Sequence, residues 1–246
     1  MSQKQVLITG ASSGIGLATA QLFYQHGWQP LLLSRASNRL NEAQATMKGS
    51  LAIGIDLHDS NVGEQVSEHL RKQSLTPLII INNAGIYAQH AADEINPSLW
   101  HEQFQINFFS AVELTNAVLP FLPNHQGASI VNVSSTLGLR PVASAAAYSA
   151  AKAALINWTQ SLALQLAPRG VRANVVCPGI VQTPIHRAET QSIDEQSLFW
   201  KKMDKAQPLA RVGQAPEIAN AIFFLATNQS AWTTGSTLVV DGGINL

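Results

Sequence analysis

Tyr148 and Lys152 stand four residues apart in Tyr148-Ser149-Ala150-Ala151-Lys152, and Ser135 lies thirteen residues before the tyrosine. The three supply a hydroxyl acid/base, a cation able to make it more acidic, and a hydrogen-bond donor for a carbonyl oxygen. On a helix, positions i and i+4 share a face, so the ammonium is expected beside the phenol. There it would favour ionisation of a group whose unperturbed pKa is about 10. Taken alone the pair is also common on ordinary helices, where the tyrosine packs and the lysine snorkels. Its chemical reading therefore rests on the rest of the chain.

A second constellation lies near the start. An apolar run, Val6-Leu7-Ile8, leads into Thr9-Gly10-Ala11-Ser12-Ser13-Gly14-Ile15-Gly16 and then a helix-like stretch. Glycines at 10, 14 and 16 permit a tight turn and bring backbone close to a pyrophosphate at a helix N-terminus, where free N–H groups and the dipole favour anions. The same residues spell Gly10-Ala11-Ser12-Ser13-Gly14, the Gly-x-Ser-x-Gly of a nucleophile elbow. Only nine residues precede Gly10, which leaves no room for the upstream strand and oxyanion loop of such an elbow, so Ser12 is not read as a nucleophile. The second strand ends in Ser34-Arg35. A guanidinium there can pair with a ribose 2′-phosphate, whereas an acidic residue would accept from a 2′-hydroxyl. Arg35, with no Asp or Glu beside it in the sequence, points to NADP over NAD; the plainer alternative is an exposed strand-end arginine.

These residues need a frame that holds them. Seven short apolar runs, 6–8, 31–33, 51–53, 78–81, 130–133, 175–176 and 238–240, alternate with longer amphipathic segments. That order predicts one α/β domain over 1–246: a doubly wound, seven-stranded parallel sheet with helices on both faces, Rossmann-like. The segment 184–208 breaks the rhythm, mixing charges with Phe199, Trp200 and Met203 after the turn Cys177-Pro178-Gly179. Its place after the carboxyl end of a strand suits a substrate lid, with a solvated helical insertion as the alternative. From Ala153 to Pro168 there is no charged residue, and apolar side chains surround the helical wheel. One face can cover the sheet, and another is expected to meet a second subunit in a dimer or tetramer.

Composition narrows the function classes. The 246 residues carry 15 Lys plus Arg against 15 Asp plus Glu, with 12% charged and 46% hydrophobic residues. The balanced, sparse charge argues against nucleic acid or an anionic membrane as partners. Cys177 is the single cysteine, so neither an intrachain disulfide nor a cysteine metal cluster is expected, and its apolar surroundings read as a buried strand. The opening Met1-Ser2-Gln3-Lys4-Gln5 runs straight into a strand, and no stretch reaches the roughly 18 apolar residues of a membrane helix. A soluble cytoplasmic protein without a metal is the expectation.

The whole set resembles the short-chain dehydrogenase/reductase family in its short, single-domain branch. The resemblance runs from Thr9 to Gly243 through the glycine loop, Asp56-Leu57, Asn82-Asn83-Ala84-Gly85, Asn107, Ser135, Tyr148 with Lys152, Pro178-Gly179 and Asp241-Gly242-Gly243. It implies that Gly10, Ser12, Ser13, Gly14, Ile15 and Gly16 form the phosphate loop and that Asp56 and Leu57 flank the adenine. By the same resemblance Asn83, Ala84 and Gly85 support the adenosine ribose, and Pro178, Gly179, Ile180 and Thr183 line the nicotinamide side. Tyr148 becomes the acid/base and Lys152 the ribose-binding cation that lowers the phenol's pKa. Ser135, at the family's usual separation from the tyrosine, holds the substrate oxygen and leaves Ser134 structural. Asn107, otherwise only a mild blemish in the long helical segment Trp100 to Leu122, fixes a relay water.

The implied activity is hydride transfer between nicotinamide C4 and a small-molecule carbonyl or secondary alcohol, read as NADPH-dependent reduction of a ketone or aldehyde. The expected pocket is bordered by Leu137, Gly138, Leu139, Arg140, Pro141 and Val142 and by the lid, with Arg140, His186 and Arg187 as anion contacts or solvated rim. Reduction of 3-oxoacyl groups on acyl carrier protein is the runner-up. Such reductases place basic residues before the serine-bearing strand, and here the stretch reads Pro123-Asn124-His125-Gln126-Gly127, leaving only Arg169 to contribute. A dinucleotide-sensing scaffold without turnover is the alternative of another class; the presence of all four catalytic residue types argues against it.

Overall fold

The structure, a computed structural model, describes residues 3–94, 96–186 and 192–246. In chain order its elements are β1 (Gln5–Thr9), α1 (Gly14–Gln25), β2 (Gln29–Ser34), α2 (Asn38–Ala45), β3 (Leu51–Gly54), α3 (Val62–Lys72) and β4 (Ile79–Asn82). Next come α4 (Pro97–Phe104), α5 (Ser110–Val118), β5 (Ser129–Val133), α6 (Ala146–Leu166) and β6 (Arg172–Pro178). The chain then continues through β7 (Val181–Gln182), α7 (Ile193–Lys205), β8 (Gly213–Gln214), α8 (Ala215–Ala226) and β9 (Thr237–Val240).

Seven strands form one sheet in the order β3-β2-β1-β4-β5-β6-β9, and every neighbouring pair is parallel. Each apolar run expected to be a strand contributes one of them. The central strands read as nearly continuous hydrophobics because helices cover both sides. Alternation still sorts the side chains: Leu7, Leu31, Leu33, Ile80 and Ile130 pack with Val66 of α3, Leu114 of α5 and Leu162 of α6. Val6, Ile8, Leu32, Ile79, Ile81 and Val131 pack on the other face with Phe23 of α1, Leu40 of α2 and Ile222 of α8. The order reverses between β1 and β4, and in a doubly wound sheet the crevice outside the carboxyl ends at that point is where a ligand sits.

Two features differ from the sequence reading. The segment Trp100 to Leu122 is not one regular helix: α4 runs into a π turn, Gln105–Phe109, before α5 and a 3-10 turn at Leu119–Phe121. The two-residue strands β7 and β8 pair in a small parallel sheet of their own, too short for any periodicity to mark. The segment 184–208 resolves into a 3-10 turn, Pro184–His186, and α7; Arg187 lies outside the described residues. Among the described residues no helix is long and apolar enough to cross a membrane, and Cys177 is buried in β6.

Candidate active site

The carboxyl ends of β4 and β5 and the start of α6 meet beside the β1–β4 reversal. Ser135 follows β5 and opens a 3-10 turn, its Oγ accepting from the Leu137 N–H at 3.1 Å. Tyr148 is the third residue of α6 and Lys152 lies one turn on. As the four-residue spacing requires, the two side chains share a face, with Lys152 Nζ 5.8 Å from the Tyr148 ring centroid. Ser135 lies close enough to the phenol to favour its ionised form, whereas the Ser134 hydroxyl donates to the Lys152 carbonyl at 2.8 Å. The two serines thus differ: Ser134 braces the helix, while Ser135 lies on the tyrosine's side.

The electrostatics reverse one expectation. Burial pushes the Tyr148 phenol up to about 12, and the nearby Ser135 hydroxyl offsets only part of that rise. Burial likewise pulls the Lys152 ammonium down to about 8. Lys152 does not acidify the phenol in the protein alone, because its Nζ donates to the Val133 carbonyl at 2.9 Å and both groups are withdrawn from water. Tyr148 therefore holds its proton at neutral pH.

Asn107 sits in the π turn, buried, and not on a plain helix. Its Nδ2 donates to the Ile86 carbonyl at 3.0 Å and its Oδ1 accepts from the Ile86 N–H at 3.1 Å. Gln103, equally buried, accepts from Nδ2 at 3.1 Å and fixes the amide's orientation. The extra residue of a π turn re-aims a side chain, which is why such turns recur at functional sites. Gly85 lets these groups converge: a Cβ there would lie 2.8 Å from Asn107 Oδ1 and 3.4 Å from Lys152 Nζ.

Gly10, Ser12, Ser13, Gly14, Ile15 and Gly16 form the turn from β1 into α1. The first-turn N–H groups of α1 have no intrahelical acceptor, and the Ser13 side chain does not cap them. Side chains are absent where a phosphate would approach: a Cβ on Gly14, whose φ is +54°, would sit 3.3 Å from Thr183. The donor set and this bare cradle fit a dinucleotide pyrophosphate. Ser12 and Ser34 hydroxyls lie 2.9 Å apart across the turn, and Arg35 is exposed at the end of β2. Asp56 follows β3; despite burial that raises its pKa, hydrogen bonds from His58 and the nearby Arg35 charge hold it below the usual value. Folding thus brings a carboxylate within reach of Arg35's field, which the linear sequence concealed. Leu57 is buried beside it.

Asn83 and Ala84 are locked to β1: both N–H groups donate to Thr9 Oγ1 at 2.9 Å, and Asn83 Nδ2 donates to the Thr9 carbonyl at 2.9 Å. Pro178 ends β6, Gly179 N–H bonds the Val240 carbonyl at 3.0 Å, and the Ile180 carbonyl accepts from Gly213 N–H at 2.9 Å. A Cβ on Gly10 would lie 2.9 Å from Asn83 Nδ2 and 3.0 Å from Ala84 Cα, so the glycine loop meets the segment after β4. Arg140 does not offer a free cation, because its guanidinium donates to the main-chain oxygens of Asn245 and Leu246 at 2.8 and 2.9 Å. Arg169 is similarly engaged, with Asn124 Oδ1 and the Leu119 and Leu122 carbonyls.

Sequence reasoning passed over Tyr87, whose ring meets Tyr148 edge-on at 5.2 Å. A file of aromatic rings continues through His186 at 6.4 Å to Phe199 and Trp200 of α7 at 6.1 and 5.7 Å. The tyrosine stands two residues after the Asn-Asn-Ala-Gly run, and that proximity was its only sequence signal. His90 and Gln103 had none.

Fold and site together define a dinucleotide-binding oxidoreductase architecture with a serine, a tyrosine and a lysine at its centre. Known proteins agree. The profile of the family described as enoyl-(acyl carrier protein) reductase matches residues 10–245. The 3-oxoacyl-(acyl-carrier-protein) reductase FabG of Escherichia coli is 33% identical over 243 residues, covering 98% of this chain and 97% of the relative. Among solved structures, L-sorbose reductase of Gluconobacter frateurii, complexed with NADPH and L-sorbose, superposes with a TM-score of 0.92 at 28% identity, covering 100% of this chain and 97% of the other. An NADPH-bound short-chain oxidoreductase of Pseudomonas aeruginosa gives 0.90 at 32% identity, covering 98% and 96%. The chain belongs to the short-chain dehydrogenase/reductase family, and with it to the NAD(P)-dependent oxidoreductases.

Proposed function

We propose that this protein is an NADPH-dependent reductase of small ketones or aldehydes. The observation that carries the reading is the Ser135–Tyr148–Lys152 cluster at the mouth of the crevice, with the phenol protonated at neutral pH. The glycine loop would hold NADPH, which when bound would supply the hydride. Ser135 holds the substrate oxygen by a hydrogen bond, and Tyr148 delivers its proton to that oxygen as negative charge develops there. Lys152 holds the nicotinamide ribose and, once its ammonium faces the phenol in a closed site, eases loss of that proton. Asn107, with Ile86 and Gln103, sets the route by which a proton returns to Tyr148 through water. Gly10 through Gly16 cradle the pyrophosphate, with Asp56 and Leu57 at the adenine, Asn83, Ala84 and Gly85 at its ribose, and Pro178, Gly179, Ile180 and Thr183 at the carboxamide. Arg35, exposed at the end of β2, supports pairing with a 2′-phosphate.

The residues at 184–208 serve as the substrate lid. Tyr87, His186, Phe199 and Trp200 give the carbonyl site an aromatic wall, which favours compact or ring-bearing substrates over a long acyl chain. A second reading, 3-oxoacyl reduction on acyl carrier protein, is favoured by the likeness to the Escherichia coli enzyme. It is weakened by the engagement of Arg169 with main-chain carbonyls, since an acidic carrier needs a free cation. A cytoplasmic location accords with the single buried thiol.

The chain is further read as a homo-oligomer, dimer or tetramer. On α6 the outward positions Ala153, Asn157, Gln160, Ser161 and Leu164 carry no charge, and Leu164 is 80% exposed. Phe109 adds an exposed ring from the π turn. A light-scattering mass near the single-chain 26.4 kDa at micromolar concentration would remove this reading.

Turnover is tested by loss of NADPH or NADH absorbance over a carbonyl panel that includes a 3-oxoacyl carrier thioester. NADPH oxidation with a compact ketone is expected, and Tyr148→Phe should lower kcat at least about 1000-fold with NADPH affinity nearly intact. NADPH binding without oxidation by any member would instead make the protein a dinucleotide sensor.

A further inference from the structure

Helix α6 carries both Tyr148 and Lys152, yet its N-cap makes no side-chain hydrogen bond. Ala145 occupies that position and has no side-chain acceptor to give. The first-turn N–H groups of a helix need an acceptor from elsewhere when they are buried. Here the acceptor comes from the loop after β4: His90 Nε2 takes the Ala147 N–H at 3.0 Å. Ala147 immediately precedes Tyr148, so this bond anchors the Ala146–Ala147 peptide unit, one residue ahead of the tyrosine.

The imidazole is prepared for that task. His90 is buried, 7% exposed, and its Nδ1 donates to the Ala91 carbonyl at 2.9 Å. With the proton on Nδ1, Nε2 presents its lone pair to Ala147. The loop is itself tied to the chain ahead of α6, His90 N–H donating to the Ser144 carbonyl at 3.0 Å. Trp100 of α4 flanks the ring at 6.0 Å. Four residues upstream, the same loop holds Asn107 through Ile86. A single strap, 86–90, thus spans from the amide of the π turn to the first turn of the catalytic helix.

We propose that His90 is a positioning residue for this reaction: it supplies the missing cap of α6 and, by fixing Ala147, sets the reach of the Tyr148 hydroxyl toward the substrate oxygen. The role rests on Tyr148 as the proton donor, and it concerns geometry only, since the imidazole acts through the Ala147 N–H. Small misplacements of a reacting group lower rate steeply, whereas cofactor binding depends on the glycine loop across the crevice.

Two substitutions separate the acceptor from the ring. His90→Phe keeps a flat ring beside Trp100 but offers no lone pair, while His90→Gln places an amide oxygen near the position of Nε2. For His90→Phe, kcat should fall about tenfold or more, KM for NADPH should move less than about twofold, and amide hydrogen exchange at Ala147 should quicken about fivefold, the size of a lost cap. His90→Gln should bring kcat and exchange most of the way back. Unchanged exchange at Ala147 in a folded His90→Phe would overturn the cap. Faster exchange with kcat preserved would overturn the positioning role, and equal impairment of both variants would show that the acceptor is not what matters. Should His90→Phe fail to fold, His90→Gln decides alone: more than about tenfold loss of kcat with a wild-type melting temperature overturns the proposal. Failure of the carbonyl-reductase reading is distinguishable, because the wild-type protein would then show no turnover while the exchange result would still stand.

Discussion

The floor of the crevice and its roof are held by opposite means. The floor is a continuous buried polar lattice: Thr9 fastens Asn83 and Ala84 at 2.9 Å, and Asn82 bonds Thr115 at 2.9 Å and Asn132 at 2.8 Å. Asn132 in turn donates to Thr159 of α6 at 2.7 Å. Such a network, satisfied at nearly every atom in a low dielectric, fixes distances between strands and helices with little latitude. The roof helix α7 has no fully buried side chain. Its order comes from its own ends, a capping box between Ser192 and Glu195, acidic residues in the first turn and basic ones in the last. It touches the body through Phe199 and Trp200 against His186 and through the Val212 N–H, which donates to Asp204 Oδ1 at 2.8 Å. The contrast teaches that the residues proposed to react and to cradle the cofactor lie in the densely bonded layer, while the proposed lid helix is held to the body by few contacts.

The largest effect is expected from the floor. A Cβ on Gly16 would lie within contact distance of nothing soft: it would meet the Gly10 carbonyl oxygen at 2.3 Å and Asn83 Nδ2 at 2.5 Å. Gly16→Ala must therefore push α1 away from the phosphate loop or break the Asn83–Thr9 clamp. Overpacking of this kind costs about 1–3 kcal/mol, so NADPH affinity measured by fluorescence titration should weaken about hundredfold, with a lower melting temperature. Retention of wild-type affinity would mean that the floor yields as readily as the roof, and the contrast would collapse.

Much of the floor was legible in the sequence because its pieces obey local rules. The glycine loop sits where a strand meets a helix, the seven apolar runs each became a strand, and the four-residue spacing of Tyr148 and Lys152 is set by helix geometry alone. What stayed hidden depends on contacts between distant segments. The π turn at Asn107 has no compositional mark, since Gln105-Ile106-Asn107-Phe108-Phe109 would continue a regular helix equally well. His90 acts on Ala147 from 57 residues away, and nothing in its neighbours announces a cap. The direction in which burial moves Tyr148 in the protein alone was hidden for the same reason: spacing places a cation near a phenol, but only the folded core reveals how far both have been drawn from water. Arg140, read as an anion contact or solvated rim, and Arg169, read as a contributor to carrier docking, are engaged by main-chain oxygens of distant segments.

A smaller and qualitatively different effect is expected from the roof. Trp200 meets His186 edge-on at 5.7 Å and Phe199 at 4.9 Å, and contacts of this kind contribute about 0.5–1.5 kcal/mol each. Trp200→Ala removes two of them from the aromatic file that ends on Tyr148, yet it leaves the Thr9–Asn83 clamp and the α6 turn untouched. KM for a ring-bearing ketone should rise about tenfold, while NADPH affinity stays within about twofold and the melting temperature shifts little. The selectivity between ring-bearing and linear carbonyl substrates should narrow by a similar factor, because the wall and not the acid distinguishes them. A Trp200→Ala protein that lost NADPH affinity or melted as early as Gly16→Ala would show that roof and floor form one cooperative unit, with α7 holding the cradle together and not merely covering it.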